Sequence, residues 1–343
     1  MSDEWMMSMR VPVAERASGG ARRGAADREP AGVPAYRAYA TEVRVIEHLS
    51  PHFSRVTLHA PELRHFFTAG LDQRVKLFLP RPDGTVPDVG FWQDPLPPMG
   101  EWYGIWRELP EEKRNPIRTY TVRAIRPEQC EIDIDFVVHG TDGPASAWVC
   151  SAELGDELIV IGPDGRSEHA GSGIEWKPGE ARELLLAGDE TAAPAICAIL
   201  ESLPETCSGS AYLEVPTSED VLSVDTDSHV DICWLPRDGA PFGSKLESSV
   251  REWGRERVHA GNAAGRSSAG AQLSSADEPT LPALGEDDVL WEVADSPEAP
   301  EYAWLAGEAG VITGLRRHLV RDLGLDRRQV SFMGYWKAGR AGA

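Results

Sequence analysis

Residues 118–140 read RTYTVRAIRPEQCEIDIDFVVHG, and their reading decides the class of fold. In the second half, Glu131-Ile132-Asp133-Ile134-Asp135-Phe136 alternates polar and apolar with period two, which predicts a half-buried antiparallel strand. The first half, Arg118-Thr119-Tyr120-Thr121-Val122-Arg123, reads as its neighbour. Side chains alternate along a strand, so Arg118, Tyr120 and Val122 should face one way and Thr119, Thr121 and Arg123 the other. Outward from this pair lie further short, β-branched segments separated by turns: TEVRVIEHL, SRVTLHA, RVKLFLP and ELIVIG. Six strands with one short helix candidate at Pro144–Cys150 predict a small antiparallel barrel over residues 38–175. An aromatic stretch from Phe91-Trp92 to Trp106 interrupts it, as a long loop or a local helix over the barrel.

From Glu183 the rhythm becomes strand, turn, helix. Glu183–Ala187 reads as a buried strand, Gly188-Asp189-Glu190 as a turn and Thr191 as an N-cap, with Pro194 in the first helical turn. Ala211–Val215 and Val230–Leu235 are further strands, and Gly243–Trp253 is helical. Tyr302–Ala306, the turn Gly307–Gly310 and the helix Val311–Leu323 repeat the unit, and Val330–Tyr335 closes the sheet. This alternation predicts a doubly wound parallel sheet of the nucleotide-binding type over residues 180–343. Residues 1–37, rich in Arg, Ala, Gly and Glu without periodicity, read as a disordered tail, and residues from about 255 to 288, with almost no bulky apolar side chains, as a disordered insertion.

A chain of 343 residues suits two domains. Its 34 Lys+Arg against 55 Asp+Glu give a formal charge of −21, a surface that repels nucleic acid and anionic lipid. No apolar run approaches the roughly 20 residues of a membrane span, and the start of the chain does not read as a signal peptide. Five cysteines, widely spaced and without a CxxC pair, argue against a disulfide framework or a structural metal site and fit the reducing cytoplasm.

The RTYTVR strand offers what a flavin requires: an aromatic surface for the ring, hydroxyl donors and a cation for the pyrophosphate. An ordinary surface strand is the competing reading. After it, His139-Gly140-Thr141-Asp142-Gly143-Pro144-Ala145-Ser146 runs from a strand end into a helix N-terminus, a geometry that presents N–H groups to an anion. The Gly188–Pro194 turn stands where a nicotinamide dinucleotide would meet the sheet. It lacks G-x-G-x-x-G, however, and Asp189 and Glu190 would repel a pyrophosphate. Lys76 is a lone cation on an apolar strand, and Tyr335-Trp336-Lys337 follows the last strand, where α/β sheets hold ligands. Zinc-protease, hydrolase-elbow and P-loop motifs are all missing from the sequence.

Taken in order, R-x-Y-T-x-R, D-F-V-V-H-G…G-P-A-S-x-W, A-G-D-E-T-A-x-P-A, W-x-A-G-E-A and G-Y-W-K-x-G resemble the siderophore-interacting protein family, FAD-containing ferric-siderophore reductases of the ferredoxin-reductase-like superfamily. The resemblance implies FAD on the barrel, held by Arg118, Thr119, Tyr120 and Thr121 and by His139, Gly143, Ala145 and Ser146. It also implies a contribution to cofactor binding from Asp189, Thr191, Ala192 and Trp336. Lys76, with Arg123, would face an anionic ferric siderophore, with electrons from NADH, NADPH or a ferredoxin. The absence of Arg from Thr217-Ser218-Glu219-Asp220 inclines the donor toward NADH. A general flavin or quinone reductase and a non-enzymatic flavin or siderophore carrier are the alternatives.

Overall fold

The computed structural model describes residues 33–67, 69–141, 143–263, 291–293 and 298–339. Strands β1 (Tyr36–Ser50), β2 (Phe53–His59), β3 (Arg74–Phe78), β4 (Ile117–Arg126), β5 (Glu131–Val137) and β6 (Glu157–Pro163) close into a barrel of order β1-β2-β5-β4-β3-β6. Every pairing in it is antiparallel. Its interior is filled by alternate residues such as Val56, Leu58, Val75, Leu77, Ile132, Ile134 and Phe136. β1 begins at Tyr36, so residues 36–37 belong to the barrel and not to the expected tail, the rest of which, apart from residues 33–35, lies outside the described residues.

Strand β5 differs from its sequence pattern in an instructive way. Asp133 and Asp135 stand on its outer face, yet both are buried. Arg126 holds Asp133 through two bonds of 2.7 and 2.6 Å, and Arg55 holds Asp135 through two of 2.7 and 2.9 Å. The outer carboxylates are covered by guanidinium groups and not by water.

The aromatic insertion contains α1 (Met99–Glu108), pinned to the barrel wall by the buried Trp102, which packs with Phe91, Phe78 and Ile117. The helix expected after β5 is α2 (Pro144–Ser151).

The second domain comprises β7 (Glu183–Gly188), α3 (Ala193–Ser202), β8 (Ser208–Val215), β9 (His229–Pro236), α4 (Ser244–Ala263), β10 (Trp291–Glu292), β11 (Glu301–Glu308), α5 (Ala309–Arg317) and β12 (Val330–Trp336). Sheet order is β10-β12-β11-β7-β8-β9. The last five run parallel, and β10 is an antiparallel edge, so β12 lies one strand inside the edge it was expected to close. Helix α3 covers one face against Leu184, Leu186 and Trp304, and α4 and α5 cover the other against Leu185, Leu305 and Phe332. The chain reverses its direction of growth between β7 and β11, where open α/β sheets form a crevice.

Local details correct the sequence reading. Helix α3 is N-capped by Ala192, not Thr191, because Thr191 bonds Asp189 instead. No turn separates β11 from α5, and the last helix passes into a π turn at His318–Asp322. Helix α4 continues to Ala263, so residues 255–263 of the expected insertion are helical; residues 264–288 lie outside the described residues.

Candidate functional site

Strand β4 is the centre of the site. Tyr120 packs toward the barrel interior with its ring 4.7 Å from Phe136, which in turn lies 5.5 Å from Trp148 of α2. Arg118 shares that face. Its guanidinium is half-buried and Nη1 donates to the Ile117 carbonyl at 2.8 Å; among the described residues no carboxylate pairs with it. Burial holds the Arg118 guanidinium below its ordinary range, and Tyr120 is pushed up by the same cause. A cation desolvated without a counter-ion is costly, and a phosphate would remove that cost.

At the end of β5 the chain turns into α2. Gly143 is its N-cap and supplies no side chain, so the first turn keeps unpaired N–H groups. Ser146 Oγ accepts from His139 N (3.1 Å) and donates to the Gly140 carbonyl (2.6 Å), so this hydroxyl shapes the turn and leaves the backbone N–H groups to face an anion. Ala145, buried, packs the turn onto the barrel core. His139 is half-exposed, with Nε2 3.8 Å from Glu190 Oε1; burial holds its imidazole below the ordinary value against the pull of that carboxylate. A lone guanidinium, an aromatic face and an uncapped helix N-terminus fit the pyrophosphate and ring of FAD.

The opposite face of β4 carries Thr119 and Thr121. Thr119 pairs across the strands with Lys76, whose Nζ lies 3.4 Å from Thr119 Oγ1. Lys76, Thr119, Arg74, Tyr36 and Met99 line a pocket of about 200 Å³. Burial, then the neighbouring Arg74, hold the Lys76 ammonium below its ordinary value. Arg74 was not singled out in the sequence, although it lies two residues from Lys76 and so shares its face. Arg123, expected beside Lys76, is engaged elsewhere: it forms a bidentate pair with Glu201 of α3 (2.7 and 2.5 Å) and approaches Asp135 at 3.8 Å. It joins the barrel to the second domain.

The crevice at the sheet edge is closed by the protein itself. Asp189, buried, accepts from Thr191 N (2.9 Å), Thr191 Oγ1 (2.5 Å), Glu308 N (2.8 Å) and Trp336 Nε1 (2.8 Å). Desolvation and the adjacent Glu190 push its carboxyl up to about 6. Gly307 makes room for this carboxylate: a Cβ there would stand 2.5 Å from Asp189 Oδ2. Ala192 is fully buried beneath Gly188, where a Cβ would approach it to 2.6 Å. Glu190 pairs bidentately with Arg237 (2.6 and 2.8 Å), and Glu214 accepts from Gly243 N, Lys245 N and Leu246 N at the start of α4 (2.6, 3.0 and 2.9 Å). Asp189, Thr191, Ala192 and Trp336 therefore meet one another as a clasp between β7, β11 and β12. Sequence reading missed the Glu190–Arg237–Glu214 cluster, because its members are separated by 23 and 24 positions and only the parallel sheet brings them together. No group of His, Cys, Asp and Glu able to hold a metal occurs among the described residues.

An antiparallel barrel followed by a five-stranded parallel domain, with an anion-ready helix on the barrel, is the architecture of the flavin reductases of the ferredoxin-reductase-like class. The family profile described as the siderophore-interacting FAD-binding domain matches residues 42–167, and that described as siderophore-interacting protein matches 181–339. Ferric vibriobactin reductase ViuB of Vibrio cholerae is 35% identical over 192 residues, 56% of this chain and 64% of that protein. The NADPH-dependent ferric-chelate reductase of Escherichia coli is 30% identical over 205 residues, 59% of this chain and 72% of that protein. The crystal structure of the siderophore-interacting protein SipS from Aeromonas hydrophila superposes with a TM-score of 0.58 at 28% identity, covering 90% of this chain and 94% of that one. The chain thus spans slightly under two thirds of the Vibrio relative, and 66% of an uncharacterized Mycobacterium tuberculosis protein that it matches at 34% identity. The chain belongs to the siderophore-interacting protein family.

Proposed function

We propose that the protein is an FAD-dependent ferric-siderophore reductase, which converts chelated Fe³⁺ to Fe²⁺ so that the siderophore releases it. The observation that carries this reading is the placement of one half-buried lysine, Lys76, without a carboxylate partner among the described residues, against the strand whose other face carries Arg118 and Tyr120. The names of the Vibrio and Escherichia relatives support it.

FAD, when bound, accepts an electron pair and passes electrons on singly, which a one-electron iron acceptor requires. The chain's residues supply position and field. Arg118 and the α2 N-terminus hold the phosphates, Tyr120 supports the ring, and Lys76 draws an anionic chelate to a protein whose formal charge is −21. Hard oxygen donors hold Fe³⁺ far better than Fe²⁺, so reduction loosens the complex without hydrolysis, and no proton-transfer residue is needed at the pocket.

NADH is the proposed donor over NADPH. The loop Pro216–Ser228 after β8 contains no Lys or Arg, and Arg237 nearby is already neutralised by Glu190. A ferredoxin donor is the alternative, and a cytoplasmic location, consistent with five free cysteines, belongs to the same proposal. The test is anaerobic: flavin-loaded protein receives each donor in turn, then a ferric siderophore and an Fe²⁺ trap. Bleaching by NADH followed by trap colour supports the reading; a protein that takes up no FAD overturns it. Lys76→Glu should retain flavin and lose ferric-siderophore turnover.

A further inference from the structure

Two histidines of the barrel stand across the seam from carboxylates of the parallel domain. His52, in the turn between β1 and β2, has Nδ1 2.8 Å from Asp220 Oδ2, and Asp220 also accepts from Ser50 Oγ (2.7 Å) and His52 N (3.0 Å). The His52 carbonyl accepts from Val138 N (2.9 Å), which brings this turn beside the end of β5 and the adjoining His139. His139 faces Glu190, with Nε2 3.8 Å from Oε1, and its Nδ1 forms no hydrogen bond among the described residues. Its backbone N–H donates to Ser146 Oγ (3.1 Å), so the imidazole is carried by the same turn that opens α2.

The group facing His139 is fixed. Glu190 is buried, and Arg237 holds both of its oxygens (2.6 and 2.8 Å). Arg237 also contacts Glu214 at 3.4 Å, so two carboxylates share one guanidinium and the cluster carries an excess of negative charge. His139 meets that excess from the barrel side. Burial holds its imidazole below the ordinary value; Glu190 draws it up, while His52 and Arg237 push it down. Such an imidazole is neutral near physiological pH, and new negative charge beside it favours the protonated form. The pyrophosphate of FAD carries a negative charge on each phosphate, whereas Arg118 is a single cation.

We propose that Glu190 is a positioning residue of the flavin site: from the second domain it holds the His139 imidazole at the entrance of α2, so that FAD binds with uptake of a proton at His139. Resting on the flavin reading above, this role makes the parallel domain contribute to FAD affinity.

The proton can be counted directly. Flavin-free protein is titrated with FAD by calorimetry in buffers of different ionisation enthalpy, and affinity is followed by flavin fluorescence across the same pH range, in which the FAD phosphates stay ionised. The wild type should take up protons on binding and hold FAD about tenfold more tightly at about pH 6 than at about pH 8, the equivalent of one unit of displacement in the His139 titration. His139→Gln should lose both the uptake and the slope. Glu190→Gln, which keeps an oxygen for Arg237, should move the slope to lower pH, and Glu190→Asp, which keeps the charge, should largely restore it. An affinity independent of pH, or a slope unchanged in His139→Gln, overturns the inference and leaves the flavin reading standing. A slope lost in His139→Gln but unmoved in Glu190→Gln overturns the assignment of Glu190. A protein that binds no FAD at any pH overturns the flavin reading and this role together.

Discussion

Helix α2 on the barrel and helices α3, α4 and α5 on the parallel sheet each begin shortly after a strand, but their N-termini are treated in opposite ways. At α2 the N-cap is a glycine, and Arg118 on the neighbouring strand has no carboxylate partner among the described residues. On the sheet, Asp189 takes the Thr191 N–H ahead of α3, Glu214 caps α4, and Glu308 accepts from Val311 N at the start of α5. A helix N-terminus is an anion site wherever its N–H groups are left open. The barrel leaves one open, whereas in the second domain carboxylates cap α4 and α5 and Asp189 holds the turn ahead of α3. Among the described residues the open N–H groups therefore lie at α2 on the barrel, while carboxylates occupy the carboxyl end of the parallel sheet.

The largest effect should come from opening the closed edge. Glu190 and Arg237 side chains are 1% and 7% exposed, so Glu190→Ala leaves a buried guanidinium with the 3.4 Å contact to Glu214 and the Phe242 ring 4.4 Å away. A loss of about 3–5 kcal/mol in urea unfolding is expected; a change under about 1 kcal/mol would mean that the cluster is not dry.

A pH effect of nearly that size belongs to Asp189. Its carboxyl, pushed up to about 6 from 3.8, holds a proton more tightly folded than unfolded. That contribution is full below the unfolded value and is lost as pH rises through about 6. Relative to Asp189→Asn, the wild type should therefore gain roughly 2–2.5 kcal/mol between pH 7 and pH 4. Asp72, also raised to about 6, titrates in the same window and is common to both proteins, so it cancels in the difference.

On the open side, Arg118→Ala should weaken FAD binding roughly 10–100-fold, the worth of a charge-assisted contact. Unfolding of the flavin-free protein should change little. Flavin titration followed by thermal unfolding of the same sample tests both halves, and a large loss of stability with intact flavin affinity would reverse the comparison. The smallest effect is expected at the seam between the two regions. Glu201 is 31% exposed, so a double-mutant cycle of Arg123→Ala and Glu201→Ala should give a coupling of about 0.2–1 kcal/mol.

Much of this was legible in the chain because period-two alternation and strand–helix rhythm are local properties. Ile132, Ile134 and Phe136 declare an inner face without knowledge of what lies opposite, and Gly188 followed by Pro194 marks a strand end and a helix start. Candidate site residues carried by one strand or turn, such as Arg118, Tyr120 and the Gly143–Ser146 run, stand together in the sequence as well as in the fold. What could not be read was the destination of charge. Arg123 and Lys76 look alike as cations on barrel strands, yet α3 delivers Glu201 to the first and nothing to the second. Asp189 and Glu190 look like an obstacle to phosphate; their partners Trp336, Glu308 and Arg237 arrive from strands 47 to 147 residues away. Patterning depends on whether a residue meets water or core, which its neighbours in sequence report. Pairing depends on which side chain crosses within 3 Å, and only the closing of the barrel and the ordering of the parallel strands decides that.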